Sequence, residues 1–86
     1  MNKYEIRFRK SAQKDLKILT KATFKRVIKK IKNLEDNPKP QGSKKLAGYE
    51  NYWRIWVGNY RIIYSVQDDI LLVEIIAVRH RKDAYD

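Results

Sequence analysis

Gly58-Asn59 lies between two runs in which side-chain character alternates, Tyr52 to Val57 before it and Tyr60 to Val66 after it. A glycine beside an asparagine, both tolerant of positive φ, is the sequence form of a two-residue hairpin turn. Such a turn dictates which residues of the two strands face each other, and so the side each side chain takes. On the second strand Tyr60, Ile62, Tyr64 and Val66 share one face, and Arg61, Ile63 and Ser65 the other. On the first, Trp53, Ile55 and Val57 mark the core side and Tyr52, Arg54 and Trp56 the outer side. Arg61 is therefore predicted to sit on a rigid element among bulky neighbours. Its planar fork matches a phosphate bidentately. The alternative is a structural pair with Glu74 on the following strand. Arg54 either lines a site or solvates a sheet face.

The rest of the chain supports this hairpin. Lys3 to Arg9 alternates Tyr4, Ile6 and Phe8 with charged residues, a half-buried strand. Ser11 is placed to cap a short helix whose Ala12, Leu16 and Leu19 share a side. Thr20 is placed to cap a second, in which Phe24, Val27, Ile28, Ile31 and Leu34 follow the 3.6-residue period. Asn37-Pro38-Lys39-Pro40 ends that helix, because Pro38 disfavours helical geometry at Asn37 and lacks a backbone donor. A last strand is expected over Ile70 to Val78, with Arg79 onward leaving the sheet. The order β-α-α-β-β-β in 86 residues implies one α+β domain spanning 1–86, an antiparallel sheet with both helices on one face. The other face is then open.

Charge says what kind of partner the protein meets. Residues 1–32 hold twelve Lys and Arg against Glu5 and Asp15, whereas residues 33–86 hold eight of each sign, so the whole net charge of +10 lies in the first third. Solubility does not need such segregation; a polyanionic partner does. Lys25, Arg26, Lys29, Lys30 and Lys32 are the candidate phosphate-backbone contacts on the second helix, the plainer reading being a solvated surface. The absence of cysteine excludes disulfides, thiolate chemistry and the usual zinc sites, and neither a metal nor a small-molecule cofactor is expected. No signal-peptide pattern opens the chain, and the longest apolar run, Ile70 to Val78, is interrupted by Glu74 and falls far short of the roughly 20 residues of a spanning helix. A cytoplasmic protein without membrane contact is expected.

Four segments, Leu34-Glu35-Asp36-Asn37-Pro38, Gly42-Ser43-Lys44-Lys45-Leu46, Gly58-Asn59-Tyr60-Arg61-Ile62-Ile63-Tyr64 and Arg79-His80-Arg81-Lys82-Asp83-Ala84-Tyr85, follow one another as the signatures of the RelE/ParE toxin superfamily do. The chain resembles that superfamily over nearly its whole length. The resemblance implies the RelE-like fold and a toxin of a type II toxin-antitoxin system. In the RelE branch, the one expected here, the activity is metal-free cleavage of messenger RNA in the ribosomal A site with the substrate 2′-hydroxyl as nucleophile. In the ParE branch it is poisoning of DNA gyrase. A non-catalytic, basic nucleic-acid-binding module is the remaining alternative. The implied partners are a cognate antitoxin, the ribosome and the message, with the basic helix on ribosomal RNA.

Position by position, the resemblance puts Arg61 on the arginine that holds the scissile phosphate and Arg81 on the one at the leaving group. Tyr85 falls on the aromatic that packs against a substrate base. Arg54 falls on the first of two family lysines, and Trp56 replaces the second. With that lysine gone, proton transfer is expected to pass to His80, the one side chain here suited to it near neutrality. Arg79 and Lys82 are expected to help bind substrate, and Trp56 to stack on RNA or pack on the antitoxin. The plainer readings are a polar His80 on an exposed tail and a frayed end at Tyr85.

Overall fold

The computed structural model describes residues 3–83. In chain order these form β1 (Glu5–Phe8), α1 (Lys10–Lys17), α2 (Lys21–Asn33), β2 (Lys44–Lys45), β3 (Tyr52–Val57), β4 (Tyr60–Gln67), β5 (Leu72–His80) and a 3₁₀ turn at Arg81–Asp83. One five-stranded sheet results, in the order β1-β5-β4-β3-β2. The α+β plan is as expected, with two corrections: Lys44–Lys45 adds a short edge strand, so that there are five where four were expected, and the sheet is not wholly antiparallel. β2 through β5 pair antiparallel, but β1 runs parallel to β5, so the sheet is mixed. Alternation along a strand dictates its two faces and says nothing about its neighbour. The helices that follow β1 leave it free to join the far edge.

Both helices cover one face. Ala12 of α1 and Val27 and Ile31 of α2, with Leu34 just beyond, pack against Ile55, Ile62, Tyr64, Val66, Val73, Ile75 and Val78. Each aliphatic side chain withdrawn from water there stabilises the fold by about 1.5–3 kcal/mol. Thr20 caps α2 as expected, its hydroxyl oxygen accepting from the Thr23 amide at 3.3 Å. Phe24, expected on the buried stripe, is 40% exposed; the buried part of the stripe begins at Val27.

α1 has a second duty. β1 pairs with β5 only from Leu72 to Ile75, which leaves the backbone of β5 beyond that point open at the edge. α1 closes it with side chains. The Ser11 hydroxyl donates to the Ile76 carbonyl at 2.6 Å, and the Asp15 carboxylate accepts from the Val78 amide at 2.9 Å. Ser11 is thus not the helix cap it was expected to be: α1 starts at Lys10 behind Arg9, with no side-chain cap. An unpaired sheet edge buried under a helix needs partners, and these two residues supply them.

The hairpin forms where expected. Gly58 takes φ +57° and Asn59 keeps a negative φ, the pattern of a II′ turn and not of I′. Glycine suits that positive φ, and the turn lies against α2: a Cβ here would sit 3.0 Å from Arg26 Nη2, the movable end of that side chain. β5 runs two residues further than expected, so Arg79 and His80 belong to the sheet and not to the tail. Tyr64, fully buried, donates its hydroxyl to the Pro38 carbonyl at 2.7 Å and ties the proline loop to the sheet. Burial pushes its phenol up to about 12, a rise the Ser43 hydroxyl partly offsets. Among the described residues no helix is long and apolar enough to cross a membrane.

Candidate nucleic-acid interface

The face without helices is read directly from the ladders. Trp56 is opposite Arg61, and Arg61 is opposite Arg79, so these three form one row across β3, β4 and β5. In the next row Lys44 is opposite Arg54, which is opposite Ile63. Opposed residues in an antiparallel pair share a face. Lys44, Arg54, Trp56, Arg61 and Arg79 therefore all project from the open side.

Arg61 is the buried member, 6% exposed, held in the middle of the sheet as the sequence predicts. Together with Arg54, Lys45, Tyr52, Ile63 and Ile76 it lines a hollow of about 740 Å³. The alternative partner for Arg61, Glu74, is engaged by Arg9 at 2.8 Å. Trp56 is 41% exposed on the open face, where it was assigned. It lines a second hollow of about 440 Å³ at the hairpin end, with Gly58, Asn59 and Arg81. Arg81 is fixed there through its amide, which donates to the Asn59 carbonyl at 2.7 Å.

Two expected site residues are placed differently. His80 is opposite Tyr60, one position out of phase with Arg61, and so lies on the helix side of the ladder. It meets the Tyr60 ring edge-on, centroids 5.1 Å apart. Its Nδ1 accepts from the Lys82 amide at 3.1 Å, which leaves the proton of the neutral ring on Nε2. Arg79, though on the open face, gives its Nε to Asp15 at 3.2 Å. The Asp15 tether was not foreseen, although an acid four residues after Ser11 in an otherwise basic segment was its signal. Lys82 is exposed, and Tyr85 lies outside the described residues.

On α2, Lys25, Arg26, Lys29 and Lys32 are exposed and Lys30 is half-buried. The Arg26 guanidinium reaches the Gly58 turn, so the basic helix and the hairpin end are contiguous. Among the described residues no group of His, Cys, Asp and Glu is disposed to hold a metal.

The model of the ParE toxin of type II toxin-antitoxin systems matches residues 6–85. The chain belongs to the RelE/ParE toxin family. Toxin RelE3 of Methanocaldococcus jannaschii is 37% identical over 86 residues, 95% of this chain and 96% of the relative. A RelE-like toxin protein of Escherichia coli is 34% identical over 88 residues, covering 98% and 92%. Among solved structures, the archaeal RelE-RelB complex from Pyrococcus horikoshii superposes with a TM-score of 0.82 at 30% identity, over 94% of this chain and 98% of that one.

Proposed function

We infer that this type II toxin is a ribosome-dependent messenger RNA endonuclease held inactive by a cognate antitoxin. The observation that carries the reading is the placement of Arg61, a nearly buried guanidinium on a rigid strand, beside Arg54 and Lys44 on the open face. Like charges set directly opposite destabilise a sheet. Lys44 opposite Arg54 is a cost that an anionic substrate would remove.

In the proposed reaction the 2′-oxygen attacks the adjacent phosphorus and the bond to the 5′-oxygen breaks. The products are a 2′,3′-cyclic phosphate and a 5′-hydroxyl; one proton leaves the nucleophile and one reaches the leaving oxygen. Arg61 holds the phosphate and, with Arg54, meets the charge that builds on the phosphorane. A donor held in place against developing charge is worth about 10²- to 10³-fold in rate. Arg81, beside Trp56 at the hairpin end, serves the leaving oxygen, and Tyr85 stacks on a substrate base. His80 faces the other side of the ladder, so electrostatic work by the arginines takes precedence over proton transfer by the imidazole.

The relatives in the archaeal and mycobacterial structures are complexes with RelB or of the RelBE2 pair. An antitoxin with an acidic or amphipathic segment is the partner proposed here. One observation favours the second reading, gyrase poisoning: the matching family model bears the ParE name. Expression from an inducible promoter, with message ends mapped on translating ribosomes, separates the readings. New 5′ ends at the A site support cleavage of message. Broken DNA with intact message supports gyrase poisoning, and no toxicity leaves a non-catalytic binding module.

A further inference from the structure

The β2–β3 loop and the first residue of β3 build an aromatic surface at the far end of the cationic hollow. Tyr49 and Tyr52 are stacked, with ring centroids 5.4 Å apart and an interplanar angle of 17°. Both line the hollow that Arg54 and Arg61 line. Tyr52 is two residues before Arg54 and four before Trp56 on one strand, so the three share the open face. Along β3 that face reads aromatic, cation, aromatic.

The pair is held in place from several sides. Gly48 at φ +81° and Asn51 at φ +67° shape the turn that carries Tyr49. The loop is clamped by the Leu46 amide on the Tyr52 carbonyl at 2.8 Å and the Val66 amide on the Asn51 carbonyl at 2.9 Å. Tyr49 nonetheless stays 59% exposed. An exposed aromatic normally gives up rotamer freedom when it binds; one already stacked and clamped has less to lose.

We propose that the Tyr49–Tyr52 stack is a nucleobase platform, taking one base of single-stranded RNA whose backbone runs over Arg54 and Arg61. The inference rests on the nuclease reading and adds to it a base-binding subsite opposite in position to the Arg81 end of the sheet. Flat π-faces beside guanidinium and ammonium groups are what single strands require, and stacking accepts any base. An acidic peptide would use the cations and leave the exposed ring face unfilled.

The test uses the full chain and a 2′-O-methyl hexaribonucleotide carrying 2-aminopurine, which binds without offering a nucleophile. Titration is followed by anisotropy and by quenching of the 2-aminopurine, at several salt concentrations. Tyr49→Ala should weaken binding by about 5- to 100-fold and abolish the quenching, while the slope against salt stays that of the wild type. Tyr49→Trp should restore both signals. Because Tyr49 is exposed, thermal unfolding of the variants reports that the fold is intact. Wild-type affinity and quenching in Tyr49→Ala overturn the platform alone, as does a variant weakened only toward the antitoxin. A wild-type chain that binds no oligonucleotide and cuts no message overturns the nuclease reading with it.

Discussion

Lys44 and Arg54 face each other directly across the β2–β3 ladder, on the side of the sheet the helices leave open. Opposed like charges cost a few tenths to about 1 kcal/mol. Replacing Lys44 by Gln should therefore raise stability by a few tenths of a kcal/mol, read as a higher urea midpoint at unchanged slope. The same variant should bind single-stranded RNA more weakly, its slope of log affinity against log salt shallower by about 0.7. A variant neither more stable nor weaker in RNA binding would remove the argument from this pair.

Asp15 holds the edge of β5 through the Val78 amide and Arg79 Nε. Asp15→Ala leaves a backbone donor without its partner, and a cost of about 1–3 kcal/mol is expected. Amide hydrogen exchange locates the effect: Val78 should lose protection first, ahead of the central strand β4. Loss spread evenly over the sheet would mean that α1 does not act as an edge cover.

Tyr64 sets an alkaline limit on stability. Its folded pKa of about 12 lies above the unfolded value of 10.0. Its contribution is therefore complete below pH 10 and is lost progressively up to about pH 12, because only the unfolded chain releases the proton in that window. Tyr64→Phe should flatten this part of the pH–stability curve. At neutral pH it should cost about 1 kcal/mol for the hydrogen bond to Pro38. Denaturation midpoints at pH 8 to 12 check both halves.

His80 and Arg61 lie on opposite sides of the β4–β5 ladder. His80→Ala should consequently lower single-turnover cleavage by less than about tenfold, below the 10²- to 10⁴-fold expected of a direct general acid or base. Arg81→Ala should cost more than His80→Ala. The reverse order would return proton transfer to the imidazole.

Much of this arrangement was legible in the residues. The hairpin, the bounds of β3 and the faces of β4 follow from Gly58-Asn59 and the alternation around it, because turn chemistry and period 2 are local, whereas the II′ form of the turn is read only from the backbone. The placement of Arg61, Arg54 and Trp56 on one open face follows from the same parity. What was not legible depends on partners far away in the chain. The parallel seat of β1 beside β5 is decided by packing across two helices, and Ser11 bonds to Ile76 instead of capping because a sheet edge needs it more. The role expected of His80 depended on ending β5 at Val78; with the strand carried to His80, the same parity rule sends the ring to the helix side. The stack of Tyr49 on Tyr52 was missed because Tyr49 lies in a loop where no period assigns faces, with two residues between it and the start of the strand.

Arg61, held on β4, is proposed as the phosphate clamp of an RNA-cleaving site. The most direct measurement is single-turnover cleavage of message in the A site of a purified, programmed ribosome, wild type beside Arg61→Ala, with thermal unfolding and antitoxin binding as controls for the fold. A fall of about 10²- to 10³-fold in rate is expected, with both controls preserved. Cleavage by the folded variant at the wild-type rate, or none by the wild type, would contradict it.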